Sequence, residues 1–119
     1  MTPRTQPDFE ARLAQTKDDL RAAQRLRYQV FIEELGGDVV LGDHLERLEK
    51  DRFDPFADHL LLKEPMGGRV IGVYRLIRPE QAVHAGDYYS SSEFDLSVLE
   101  TSGKRLLELG RSCLHPEYR

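Results

Sequence analysis

The stretch Arg69–Arg78, RVIGVYRLIR, decides the fold. Valine, isoleucine, leucine and tyrosine dominate it, and β-branched and aromatic side chains suit the pleated, half-buried surface of a strand. Side chains alternate between faces along a strand, so Ile71, Val73 and Ile77 share one face, and Arg75 falls on that same face. A guanidinium on an apolar face needs carboxylate partners if it is buried, because a lone charge in an apolar interior is costly. Arg75 therefore reads equally well as half of a structural ion pair and as a clamp for an anionic group. Just upstream, DHLLLKE (58–64) is a second expected strand, and PMGG (65–68) is a turn by composition. Two strands joined so closely predict an antiparallel hairpin.

Outward from this hairpin the pattern changes period. FEARLAQT (9–16) alternates Phe9, Ala11 and Leu13 against Glu10 and Arg12, which predicts a short strand with one buried face. Thr16 followed by Asp19 resembles a capping box. A helix is expected over KDDLRAAQRLRYQVFIEEL (17–35), where Leu20, Ala23, Leu26, Val30, Phe31 and Leu35 fall on or near one stripe. Gly36 and Gly37 end it, since glycine takes the left-handed cap without penalty. Residues 38–57 are highly charged and long for a connection, and such segments are usually functional or disordered. Short helical turns are expected near 80–84 and 96–99, and RLLELGRSCLH (105–115) closes the chain as a last strand. The order β, α, long loop, β, β, irregular, β predicts an α+β fold with a mostly antiparallel sheet and a long first helix packed on it. Residues 1–8, polar and with two prolines, are expected to be loose.

The bulk properties bound the function. At 119 residues the chain makes one domain, 1–119. A chain of this size buries roughly two-thirds of its unfolded surface, enough for a core. Hydrophobic content of 39% with 32% charge is ordinary for a globular protein. A net charge of −4 gives no reason to expect nucleic-acid binding. The single cysteine, Cys113, allows neither an internal disulfide nor zinc-type cysteine spacing, and fits a reducing compartment. No apolar run reaches the length of a signal peptide or a membrane span, so any membrane contact is expected to be peripheral.

Several polar residues sit where a core alone does not need them. Arg27 lies near the apolar side of the first helix, and from the helix alone a snorkelling arginine is the favoured reading. Asp51 and Asp54, three apart, share a face if they lie on a helical turn. By themselves they read as a solvated charge patch. Asp54, Asp58 and His59 have no diagnostic metal spacing, and no metal is expected. Glu108 and Arg111 interrupt the last strand and, on a regular strand, would face opposite ways. Gly110 between them allows a β-bulge that re-aims one of them and frees backbone N–H and C=O groups. A glutamate in an apolar strand is a plausible start for a general base. Cys113 and His115 share a strand face, but a lone cysteine in an apolar strand is far more often core filling than nucleophile.

Taken together, the blocks LRYQVFIEELG (26–36), DRFDPFADHLLL (51–62), VIGVYRLIRPEQA (70–82), YYSSSEFDL (88–96) and LELGRSCLHPEYR (107–119) resemble, in order and spacing, the N-terminal half of the L-ornithine N(alpha)-acyltransferases. These belong to the GCN5-related N-acetyltransferase superfamily, close to the acyl-homoserine-lactone synthases. The synthase signature falls on Arg27, Phe31, Asp51, Asp54, Arg75, Glu108 and Arg111. Where those synthases carry tryptophans, this chain has Gly36–Gly37 and Leu107, which favours the ornithine branch over the lactone-synthase alternative. A non-catalytic half-domain that docks on a partner is the other alternative.

The resemblance implies transfer of a 3-hydroxyacyl chain from acyl carrier protein to the α-amine of ornithine. No cofactor is implied, since the acyl donor rides on the carrier protein's phosphopantetheine. It implies Glu108 as base and Arg27, Phe31, Asp51, Asp54, Arg75 and Arg111 as acceptor-site residues. Gly110 and Arg119 are implied on the donor side, with Arg119 opening a phosphate-cradling loop whose glycines and helix lie beyond this sequence. The implied location is cytoplasmic, peripheral at the inner membrane. The last strand would then be an apolar edge open to self-association.

Overall fold

In the computed structural model, residues 9–36, 42–65 and 68–119 are described. The expected loose segment 1–8, Gly37 and the centre of the PMGG turn lie outside them. Four strands form one antiparallel sheet in the order β1 (Glu10–Leu13), β4 (Asp58–Lys63), β5 (Val70–Ile77), β6 (Glu108–Leu114). β2 (Gly42–Asp43) and β3 (Leu48–Glu49) make a small separate hairpin. The α+β reading and the β4–β5 hairpin are therefore borne out.

The register settles which side chains face the helix. Leu61 pairs with Val73, and Val73 with Cys113, so these share a face. Against it packs α1 (Lys17–Arg27), and Ala23, Leu26, Val30, Leu61 and Val73 form a buried cluster. Thr16 caps the helix, its Oγ1 accepting from the Asp19 amide at 3.1 Å. Past Arg27 the coil continues through Tyr28–Glu34 but widens to a π-helix, closed by Leu35 N–H donating to Val30 C=O at 3.0 Å. Such widened turns are rare and concentrate at functional sites. Gly36 then stops the helix in the left-handed region, at φ 67°.

Three expectations need correction. The apolar side of β1 is not a buried face: Phe9 and Leu13 are 43% and 44% exposed. Leu13 pairs with Leu60, on the side of the sheet opposite α1. Leu35, expected on the buried stripe, is exposed because the π-turns rotate it off that stripe. The last strand starts at Glu108 rather than 105, because β5 ends at Ile77, whose partner is Glu108. Arg78 then caps α2 (Pro79–Ala85) instead of extending the ladder. A second cluster of Phe53, Ile77 and Ala82 packs α2 against this end of the sheet. From there a turn at Tyr89–Ser92 and α3 (Ser97–Glu100) lead to β6, an outer strand of the described sheet. No described helix is long and apolar enough to cross a membrane.

Candidate functional site

At the end of α1, Arg27 does not snorkel. It is 1% exposed, with Nε donating to Glu49 Oε1 at 3.0 Å, Nη2 to the same oxygen, and Nη1 to Asp54 Oδ1 at 3.0 Å. The β2–β3 hairpin delivers Glu49, which is 2% exposed and lies beside Leu48. A 3₁₀ turn at Asp54–Phe56 delivers Asp54, after the bend carrying Asp51. Arg75 comes from β5 on the predicted face. Its Nη1 donates to Asp51 Oδ1 at 2.6 Å and to Asp54 Oδ1 at 2.9 Å. Asp51 and Asp54 do act on one partner, and the solvated-patch reading gives way to a buried network.

Arg111 completes it. Three guanidiniums, Arg27, Arg75 and Arg111, face three carboxylates, Glu49, Asp51 and Asp54. Charge is balanced, as a buried cluster requires. Burial works against the charge on both Arg27 and Asp54. Their mutual attraction outweighs it, holding the Arg27 pKa up and the Asp54 pKa down, with Glu49 and the Gln24 amide assisting. His59, beneath the cluster, donates from Nε2 to the Asp54 carbonyl at 3.0 Å. Burial depresses its pKa.

The bulge on β6 is present, but not where glycine suggested. Arg75 pairs with Gly110 and Val73 with Cys113, so Arg111 and Ser112 together oppose Tyr74. The left-handed residue is Arg111, at φ 48°, and Gly110 is not in that region. A non-glycine residue held there costs on the order of 1 kcal/mol or more and persists only where its surroundings over-determine it. The kink turns the Arg111 guanidinium toward the cluster. Its Nε lies 3.4 Å from Glu49 Oε2 and its Nη2 3.9 Å from Asp51 Oδ2. Among the described residues, Arg111 Nε and Asp51 Oδ2 are the buried side-chain polar atoms without a hydrogen-bond partner. Phe31, from the π-helical segment, brings its ring to 5.8 Å from the same guanidinium.

Glu108 lies at the mouth. Its Oε1 accepts from the Tyr89 amide at 2.8 Å and its Oε2 from the Ser90 amide at 2.7 Å. The Tyr89 ring stands 5.3 Å from the Arg75 guanidinium and 5.0 Å from that of Arg111, edge-on to Phe53. Arg75, Tyr89, Ser90, Glu108, Gly110 and Arg111 thus line one small cleft of about 170 Å³, with Ile77 and Leu109 beside them.

The remaining candidates lie elsewhere. Arg119 sits outside the cluster, its guanidinium on Glu34 and its Nε donating to the Leu114 carbonyl at 3.0 Å. Burial pushes the Cys113 thiol up to about 12, and the His115 nitrogens engage Gln29 and the Glu117 amide rather than the sulfur. Asp58 binds Arg78 and Gln81 on one face of β4 while His59, on the other, donates to the Asp54 carbonyl, so the three side chains do not gather into one metal-binding set. Sequence reasoning missed Glu49 and Tyr89. Glu49 is hidden in a charged run, LERLEK, whose leucines are no guide: Leu45 is 95% exposed and Leu48 1%. Tyr89 lies in a block that carried the resemblance, but its type and position gave it no role.

Known proteins resemble this chain over most of its length. An acetyltransferase (GNAT) domain model matches residues 26–119. L-ornithine N(alpha)-acyltransferases are similar throughout: 52% identity with that of Rhodobacter capsulatus, covering 93% of this chain and 45% of the relative, and 44% with that of Brucella abortus, covering 93% and 42%. The Rhizobium meliloti enzyme is 40% identical over 94% of this chain and 40% of its own length. The chain thus spans less than half the length of these curated relatives. Among solved structures, the AHL synthase LasI superposes with a TM-score of 0.58 at 21% identity, covering 92% of this chain and 55% of LasI, a likeness of fold. A matched GNAT model over most of the chain, on a sheet with a bulged outer strand above a buried ion network, places this chain in the GNAT acetyltransferase family.

Proposed function

We propose that this chain forms the acceptor-binding part of an N-acyltransferase that moves a 3-hydroxyacyl chain from acyl carrier protein to the α-amine of L-ornithine, giving a lyso-ornithine lipid. The observation that carries the reading is the cleft itself. It sets a carboxylate, Glu108, beside a bulged strand edge and an arginine, Arg111, that the buried network leaves incompletely bonded. The names of the relatives supply the substrate.

Ornithine brings an α-ammonium, a carboxylate and a side-chain ammonium. Its α-amine must lose a proton before its lone pair attacks the thioester carbonyl. Each Glu108 oxygen spends one lone pair on an amide and keeps another, so the carboxylate accepts that proton directly or through water. The C–N bond forms, the C–S bond breaks, and the departing phosphopantetheine thiolate takes up a proton. Arg111 binds the acceptor carboxylate, because Arg75 Nη1 already donates to two aspartates while Arg111 Nε makes no hydrogen bond among the described residues. Asp51, through its unbonded Oδ2, receives an ammonium, and Asp54 locks the arginines.

Backbone amides at the bulge beside Gly110 face the thioester oxygen. An apolar hollow of about 630 Å³ along β6, bounded by Phe31, Leu35 and Leu114, has room for hydrocarbon. Arg119 belongs to the donor side, and the carrier protein and inner-membrane surface are the expected partners. The test is Glu108→Gln in the full-length polypeptide with hydroxyacyl-carrier protein and ornithine. Turnover should fall at least about tenfold, within the usual range for removing a general base. Unchanged turnover would remove Glu108 from the role.

A further inference from the structure

We infer that Tyr89 is a positioning residue of the acceptor site, and that Glu108 holds it in place. The inference rests on the reading of Arg111 as the carboxylate clamp.

A bidentate grip on a carboxylate requires the guanidinium plane to be fixed. The carboxylates of the network do not fix it: Glu49 and Asp51 approach Arg111 at 3.4 and 3.9 Å, and its Nε makes no hydrogen bond among the described residues. Aromatic contacts do more. Arg111 Nη2 donates to the Tyr89 hydroxyl at 3.3 Å, and the Tyr89 ring centre lies 5.0 Å from the guanidinium carbon. That ring is itself wedged, 5.3 Å from the Arg75 guanidinium and 5.6 Å from the Phe53 ring.

The turn that carries Tyr89 has no side-chain cap of its own. Its amides at Tyr89 and Ser90 donate instead to the two oxygens of Glu108. β6 therefore reaches across to hold the turn, and the turn holds the guanidinium three residues further along β6. This closed circuit matches the left-handed backbone of Arg111, which persists only with outside support. Tyr89 touches no reacting atom in this arrangement. Its effect passes through Arg111 and should appear in the affinity for acceptors that carry a carboxylate.

The experiment uses the full-length polypeptide with hydroxyacyl-carrier protein as donor. Acceptors are ornithine and the diamine that ornithine becomes without its carboxylate, the latter assayed as a competitor where it is not turned over. Tyr89→Phe removes the hydroxyl, Tyr89→Leu removes the ring, and Arg111→Lys is the reference. The expected result is a KM for ornithine raised about threefold in the Phe variant and about tenfold or more in the Leu variant, with kcat within about twofold. Affinity for the diamine should not move. If ornithine KM is unchanged in both Tyr89 variants while Arg111→Lys raises it, the inference is overturned and the clamp stands. Equal losses for ornithine and the diamine also overturn it, since Tyr89 would then only support the fold. If Arg111→Lys leaves the ornithine KM unchanged, the clamp falls and this inference with it. Should Tyr89→Leu fail to show a cooperative melt, Tyr89→Phe decides alone.

Discussion

The ion network has two ends that differ in how fully they are bonded. At the inner end, Arg27, Asp54 and Arg75 are each at most 3% exposed, and the Asp54 oxygens accept from Arg27, Arg75 and Gln24. At the outer end, Arg111 Nε and Asp51 Oδ2 are buried without hydrogen bonds, and the backbone of Arg111 is strained. Both ends use the same residue types. A buried carboxylate whose oxygens are all committed locks helix to sheet and has little left for a ligand. A buried group with an unsatisfied atom is expensive to keep, and stored strain, an ordered water or a ligand has to account for it. The residues that carry the resemblance include both kinds, so the resemblance does not by itself say which of them touch substrate.

This contrast can be broken by substitution. The largest effect is expected at the inner end. Asp54→Ala leaves two buried guanidiniums short of a counter-charge and should cost about 3–5 kcal/mol of stability. Urea unfolding measures it, and a loss under about 1 kcal/mol would dissolve the distinction between the ends. At the outer end the order should reverse. Arg111→Lys should lower kcat/KM of the full-length enzyme about ten- to a hundredfold, while moving stability by less than about 1 kcal/mol.

A pH titration sharpens the inner end further. Burial depresses the folded pKa of His59 below its ordinary 6.5, so protons bind the unfolded chain more readily. The stability contributed by neutral His59 is therefore present above about pH 6.5 and lost as pH falls below it. Asp54, whose pKa is also depressed, adds loss at lower pH, below its ordinary 3.8. Denaturation midpoints across this range should fall, and His59→Gln should flatten the upper part of the slope. Least of all should Gly110→Ala matter to stability. An added Cβ meets nothing within 4 Å and the residue needs no positive φ, so a change within about 0.5 kcal/mol is expected. A large loss would return the bulge to Gly110.

How much of this was legible beforehand varied by residue. Arg75 was placed on its face by a period of two, and needed only one regular strand to be right. The capped start of α1 and its glycine stop were local chemistry, and both hold. From the helix alone Arg27 reads as snorkelling, because snorkelling and burial look the same until the opposite wall is known. That wall is Glu49, contributed by a hairpin of two-residue strands within a charged run, too short for any periodicity to reveal. The bulge was anticipated from Gly110, yet the network, not local propensity, pulled Arg111 into the left-handed region.

What the sequence determined by itself was the alternation of strands, the amphipathic helix and the ordered set of charged residues that carries the resemblance. These follow from local periodicity, which each segment carries within a few residues. Only the tertiary structure decided which charges neutralise one another and which are left with a free atom. That outcome depends on hydrogen-bond geometry between segments far apart in the chain, as between Arg27 and Asp54 or Glu108 and Tyr89.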